Sequence, residues 1–321
     1  MKISVIITSY NQKNYLREAI ESVLKQTLLP YEIIIVDDCS SDGSQDMILD
    51  YARRYPDLII AFCHEKGLGI PKNRNFALRQ VRGDLISFLD GDDRFLPSKL
   101  ELELETLQRH PEASTVFSNI YYIDEHGQRT GLWAERDAPP SGYVLKETFS
   151  LDWPKGHTYR NELMTRDALE QVGFYDEELH IWEDWDMRIR FTSRFTVAYC
   201  PIPLVEYRQH PKGISMISSR DLHISTMKMT YERNRHLLQN LSARDRKDVK
   251  RKVFAILLLL EAQAAFERGR RGDALKKYVA LAWNNPFAVA GWMILLGFLL
   301  GNRRFRLVRA VIGKMRKSKL S

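Results

Sequence analysis

The sequence predicts an α/β fold with a mainly parallel central sheet and a helical extension after it. Through the first hundred residues a short apolar run, a polar turn and a helical stretch follow one another repeatedly, the pattern of parallel strands joined by crossover helices. Beyond residue 220 the texture changes to helices alone. A chain of 321 residues, 44% apolar and 28% charged, holds one large domain plus an appendage and is too apolar for disorder.

The apolar runs are residues 3–8, 32–36, 58–63 and 85–89. They lack clean alternation, as expected when helices cover both faces of a sheet. Between them, Leu16, Ile20, Val23 and Leu24 recur at helical spacing within 15–26, and 44–55 and 72–81 suit two further helices. A β-rich run covers 114–124, followed by a loop with Gly131, Pro139, Pro140 and Gly142 and a segment of mixed character to about 219. Helices are then expected over 222–241, 245–268 and, past Gly269 and Gly272, over 273–283. Ala264, Ala265, Gly272, Asp273 and Ala274 have the spacing of a helical repeat unit, but one copy makes no solenoid. The expected division is 1–220, 221–285 and 286–321.

Cys39, Cys63 and Cys200 form no CxxC pair, which excludes a disulfide framework or cysteine-rich zinc site and fits a reducing compartment. Residues 1–10 carry a single charge and read directly into a strand, without the pattern of a secretory signal. The net charge of +7 is concentrated: residues 303–321 hold eight Lys or Arg and no acid. The tail, not the domain, therefore looks for an anionic partner, and no nucleic acid is expected. The uncharged sixteen residues 286–301 fall short of a bilayer-spanning helix, which needs ~20. They read either as a buried hairpin helix or as a membrane-embedded or membrane-surface segment. Phe305, Val308, Ile312 and Met315 recur at helical spacing among the basic residues, which favours a helix lying on an anionic membrane surface. The expected location is cytoplasmic and peripheral.

In an open parallel sheet, ligands bind beyond the carboxyl ends of the strands. Those ends supply Thr8, Ser9, Tyr10 and Asn11; Asp37 and Asp38; Gly67 and Gly69 leading to Arg74; and Asp90, Gly91, Asp92 and Asp93. Asp37 and Asp38 also read as turn formers capping the next helix, and the 67–69 glycines do not complete a phosphate loop. The 90–93 cluster is stronger. Three carboxylates within four residues at the end of an apolar strand repel one another and lose hydration, and a hard cation such as Mg²⁺ or Mn²⁺ relieves both costs.

The stretches ISVIITSYNQKNYLREAIESVLKQT, EIIIVDDCSSDGS, NRNFAL, GDLISFLDGDDRFLP, VGFYDEELHIWEDWDMRIR and YRQHPKGIS run in this order from residue 3 to about 215. In them the chain resembles the family 2 glycosyltransferases of the GT-A fold, inverting enzymes that use nucleotide-sugars. The resemblance implies that Thr8 and Tyr10 contact the nucleobase, Tyr10 by stacking, and that Asp38 hydrogen-bonds a uracil-type base. It places Arg74 near the base and diphosphate, Asp90 toward the ribose, and Asp92 on a divalent metal, Mn²⁺ or Mg²⁺, whose shell His210 completes. Asp184 matches the base that activates the acceptor, and an ordinary Asp, with pKa near ~3.9, is ionised at neutral pH. Glu183, Asp184 and Asp186 would equally favour a helix N-terminus. Lys212, Gly213 and Ser215 would belong to a loop closing over the donor.

The Gln-x-x-Arg-Trp signature and spanning helices of the processive synthases are not evident, so a single addition is expected. The partners implied are a UDP-sugar donor and a saccharide or lipid-linked acceptor, in cell-surface polysaccharide or glycan synthesis. Trp133, Trp153, His157 and Tyr159 are candidates to line the space that selects the sugar. The rival readings are a nucleotidyltransferase on a similar scaffold and a noncatalytic membrane-tethered binding protein.

Overall fold

Strands β1 (Ile3–Ser9), β2 (Glu32–Asp37), β3 (Ile59–Cys63) and β4 (Leu85–Asp90) run parallel in the order β3-β2-β1-β4. The structure, a computed structural model, describes residues 1–135, 137–211, 213 and 217–284. Crossover helices α1 (Lys13–Leu24), α2 (Ser44–Arg54) and α3 (Ile70–Gln80) join these strands. Successive side chains on a strand point to opposite faces, and both faces here are covered. Val5, Ile7, Ile33 and Ile35 pack with Leu16, Ile20 and Ile48 of α1 and α2, while Ile6, Ile34 and Val36 pack with Ala77 and Leu78 of α3. Each such isoleucine contributes about 1.5–3 kcal/mol by leaving water, so the runs are apolar throughout.

The chain continues through β5 (Arg94–Phe95), α4 (Lys99–Arg109), β6 (Ala113–Ile123), β7 (Arg129–Leu132), α5 (Leu145–Ser150), β8 (Leu163–Thr165), α6 (Arg166–Val172), α7 (Glu183–Thr192) and β9 (Thr196–Arg208). The sheet has nine strands among the described residues, ordered β3-β2-β1-β4-β8-β6-β9-β5, with β7 paired to β6. β8 is antiparallel to both β4 and β6, and β6 is parallel to β9. The predicted α/β architecture with its mainly parallel sheet is thus observed. One buried ion pair lies behind the sheet: Lys99 Nζ is 2.8 Å from Glu103 and donates to Ser87 Oγ at 2.5 Å. Burial drives both groups toward neutrality, lowering Lys99 and raising Glu103.

Two compact units are present, one of Met1–Ser218 with Met229–Ser242, the other of Ser219–Lys228 with the described residues from Ala243 onward. A single cut after residue 220 therefore misses the grouping of Met229–Ser242 with the sheet. Helix α8 (Arg220–Asn234) contributes residues to each unit. In the second unit α9 (Ala243–Glu267) and α10 (Arg271–Asn284) form a hairpin that buries Leu258, Ala262, Ala265, Ala274, Tyr278 and Leu281. Gly269 turns between them at φ +73°, where a side chain would be strained. No helix among the described residues is long and apolar enough to cross a membrane. Residues 286–321, with the hairpin, membrane-segment and surface-helix readings, lie outside the described residues.

Candidate active site

The two adjacent acids at the end of β2 have different tasks. Asp37 is fully buried and accepts from Ser40 N at 2.8 Å, Ser40 Oγ at 2.6 Å and Gln45 Nε2 at 3.2 Å, so it builds the turn into α2. Asp38 accepts from Leu68 N at 2.6 Å and Gly69 N at 2.9 Å, which draws the 67–69 loop toward the end of β1 and β2. Beside it, Asn11 in the left-handed region accepts from Ser41 N at 2.8 Å. Thr8 stands opposite Val36 and Asp90 in the sheet, and Tyr10 is 58% exposed.

The β4 end carries the densest charge. Gly91 N donates to Thr8 O at 2.9 Å, and a Cβ at Gly91 would lie 2.8 Å from that same oxygen, so only glycine fits between the acids. Asp90 Oδ1 accepts from Arg74 Nη2 at 2.6 Å, and Arg74 Nη1 donates to Glu183 Oε1 at 2.6 Å. Burial opposes the Arg74 charge, but Asp90 and Glu183 outweigh it and hold the guanidinium protonated. Asp92 Oδ2 accepts from Gln12 Nε2 at 3.1 Å and lies 3.0 Å from His210 Nε2.

Asp93 departs from the expected three-carboxylate cation site. It is fully buried and accepts from Arg208 N at 2.9 Å and Asn161 Nδ2 at 3.2 Å. Burial, reinforced by Asp92 and Asp90, pushes its carboxyl well above the usual range. Arg208 also braces this loop, with Nε on Asp92 O at 2.9 Å, Nη2 on Glu18 at 2.6 Å and the guanidinium 4.4 Å over Tyr15.

No group of three or more His, Cys, Asp or Glu among the described residues is placed to hold a metal. Asp92 and His210 nevertheless present one carboxylate and one imidazole 3.0 Å apart. That donor pair fits a divalent ion that takes its remaining ligands from water and phosphate oxygens.

Helix α7 supplies the acids of the opposite wall in its first turn. Asp184 Oδ1 accepts from Trp185 N at 2.8 Å, and Oδ2 accepts from Arg188 Nη1 at 2.6 Å. Burial pushes Asp184 up, but Arg188, Arg160 and Arg74 outweigh it and hold the carboxyl at about 2. For Glu183 burial wins over Arg74, and the carboxyl is pushed up to about 7. Asp186 accepts from Arg190 Nε at 2.9 Å and Asn234 Nδ2 at 2.6 Å, so this third acid is structural. Glu162 in turn holds Arg188, at 3.0 Å.

The structure thus joins Asp90 to Glu183 through Arg74, with Asp184 next to Glu183 in the chain, and pairs Asp92 with His210. Tyr159 is fully buried and stacks on Phe117, which makes it a core element instead of sugar-space lining, and Trp133, 1% exposed, packs on Phe117 as well. Trp153 is also buried there, although Trp133 and Trp153 contribute to the wall of a pocket of about 420 Å³. His157 is half-buried with Nε2 2.6 Å from Tyr122 Oη, and burial pushes it down to about 4. Lys212 and Ser215 lie outside the described residues. Sequence reasoning missed Gln12, Arg160, Asn161, Glu162, Arg188 and Arg208. Of these, Arg188 was visible as a cation one helical turn after Asp184.

A family model described as Glycosyl transferase family 2 matches residues 4–173. The uncharacterized glycosyltransferase YwdF of Bacillus subtilis is 30% identical over 208 residues, covering 64% of this chain and 74% of that protein. An uncharacterized protein of Mycobacterium tuberculosis is 30% identical over 217 residues, or 66% of this chain, and the match spans 60% of that relative's length. Among solved structures, residues 1–349 of Staphylococcus aureus TarS superpose with a TM-score of 0.62 at 18% identity, covering 94% of this chain and 92% of that one. The same TarS fragment has been solved with UDP and with UDP-GlcNAc. With its motifs in order on this α/β sheet and the family model matching more than half its length, the chain belongs to glycosyltransferase family 2.

Proposed function

We propose that the protein transfers one sugar, with inversion, from a UDP-sugar to a hydroxyl of a saccharide or lipid-linked acceptor, in the making of a cell-surface glycan. The observation that carries this is the Arg74 bridge, which sets the β4 acids beside the acids of α7. The UDP complexes of TarS, on the same fold, support the choice of donor.

In this reading Tyr10 offers an exposed ring to the base, with Thr8 and Asp38 beside it. Asp90 lies toward the ribose, and Asp92 with His210 holds Mn²⁺ or Mg²⁺. That ion, when bound, neutralises charge on the departing diphosphate. Asp184 accepts the proton of the acceptor hydroxyl as its oxygen bonds to the sugar carbon and the bond to the diphosphate breaks. Held at about 2, Asp184 is ionised at every physiological pH but weakly basic, so the proton moves late, once bond formation has made the hydroxyl acidic. Trp185 N and Arg188 fix its direction, leaving little reorientation for the reaction itself. The basic tail, 303–321, supports attachment to the cytoplasmic face of an anionic membrane.

The test is a screen of nucleotide-sugars with Mn²⁺ or Mg²⁺ that reads nucleoside diphosphate release, alongside Asp184→Asn. Transfer should vanish in the variant while UDP binding stays. Near-normal transfer by Asp184→Asn removes its role as base, and release of pyrophosphate from a nucleoside triphosphate makes the protein a nucleotidyltransferase instead.

A further inference from the structure

Residues 158–162 run between the two groups of acids and are pinned to both. Asn161 Nδ2 donates to Asp93 at 3.2 Å, and Glu162 holds Arg188, which holds Asp184. Asn161 adopts φ 54°, a conformation uncommon outside glycine and best tolerated by Asn and Asp. Arg160 immediately precedes these anchors, its guanidinium 4.6 Å over the Tyr207 ring. Tyr207 immediately precedes Arg208, whose amide reaches Asp93.

Among the described residues Arg160 differs from its neighbours in having no carboxylate counter-ion. Arg74, Arg188, Arg190 and Arg208 each pair with a carboxylate. Among the described residues no carboxylate pairs with the Arg160 guanidinium, and its Nε is shut off from solvent without a hydrogen-bond partner. Arg160 as a whole is only half-buried, so its Nη donors stay open to an arriving anion while the unpartnered Nε gains from one that reaches it. Burial and Arg188 oppose its charge, but Tyr207, Asp184 and Asp90 outweigh them and the group stays a cation. A planar fork of donors stacked on an aromatic face is the arrangement that receives two oxygens of one phosphate.

We propose that Arg160 receives a phosphate group at this site, either from the donor's diphosphate or from a phosphate carried by the acceptor. The proposal rests on the donor-site reading above. On the donor source, the guanidinium would also favour the charge that gathers on the leaving diphosphate.

The experiment compares wild type, Arg160→Gln and Arg160→Lys in two calorimetric titrations: UDP with Mg²⁺, then inorganic phosphate into UDP-saturated protein. Thermal unfolding shows that each variant is folded, and the lysine variant tests rescue by charge alone. If the phosphate is the donor's, Arg160→Gln weakens UDP binding about tenfold or more, with partial recovery in Arg160→Lys. If it is the acceptor's, UDP binding is unchanged and phosphate binding to UDP-saturated protein is lost in Arg160→Gln. Wild-type behaviour of Arg160→Gln in both titrations overturns the proposal. Should wild type bind no UDP, the donor-site reading fails, and phosphate titrated into the free protein decides Arg160 by itself.

Discussion

Asp90 and Glu183 share one guanidinium: Arg74 donates to Asp90 Oδ1 and to Glu183 Oε1, each at 2.6 Å. Arg74→Ala would strand two acids, one of them with its side chain only 7% exposed. Breaking a buried pair by removing one partner costs about 3–5 kcal/mol. Urea unfolding of the variant should show a loss of that order, together with weaker UDP binding. A loss below about 1 kcal/mol would mean that the bridge is solvated and does not join the two walls.

Acid and base should act on stability through two residues of opposite sign. His157, pushed down to about 4 from 6.5 chiefly by burial, stays neutral in the fold. The stability this allows is full above 6.5 and is lost as pH falls through about 4, at a cost of about 3 kcal/mol. Glu183, raised from 4.5 to about 7, works the other way, with stability present below 4.5 and lost as pH rises through about 7. Between pH 7 and about 4.5, His157→Gln should lose less stability on acidification than wild type, and Glu183→Gln more. Denaturant unfolding across that range checks both, and curves parallel to wild type would refute the assigned environments.

Gln12 orients the proposed metal ligand Asp92 at 3.1 Å. Partners of this kind typically carry a 10–100-fold share of metal affinity, so Gln12→Leu should weaken Mn²⁺ binding in the presence of UDP by about that factor. Unchanged Mn²⁺ affinity would remove Gln12 from the site.

Lys99 and Glu103 are both 0% exposed and 2.8 Å apart. Lys99→Met alone should cost about 3–5 kcal/mol, while Lys99→Met combined with Glu103→Leu should restore most of it, because two apolar side chains leave no charge behind. Thermal melts of the single and double variants decide; equal losses in both would show that the pair is not the source.

Much of the donor half was legible because its strands are apolar on both faces and end in polar residues, as with Ile33 to Val36 before Asp37 and Asp38. The helices announced themselves through Leu16, Ile20 and Val23. β8 did not, since Leu163–Thr165 is too short to carry a period, and its place between β4 and β6 depends on pairings distant in sequence. The buried Asp93 looked like its neighbours in sequence, and only Arg208 and Asn161 separate it from them. Arg160 was hidden for a similar reason: its contact is with the Tyr207 ring, 47 residues away in the chain, which no composition or spacing records.

Arg208, at the last residue of β9, touches the loop of β4 and the helix that follows β1. During synthesis the nucleotide-facing strands emerge well before it, so a ribosome-bound chain halted at residue 173, the end of the family match, carries those strands but lacks Asp184, Arg208 and His210. Maturation of the pocket is therefore a late event, finished by residues that lie beyond the segment matched by the family model.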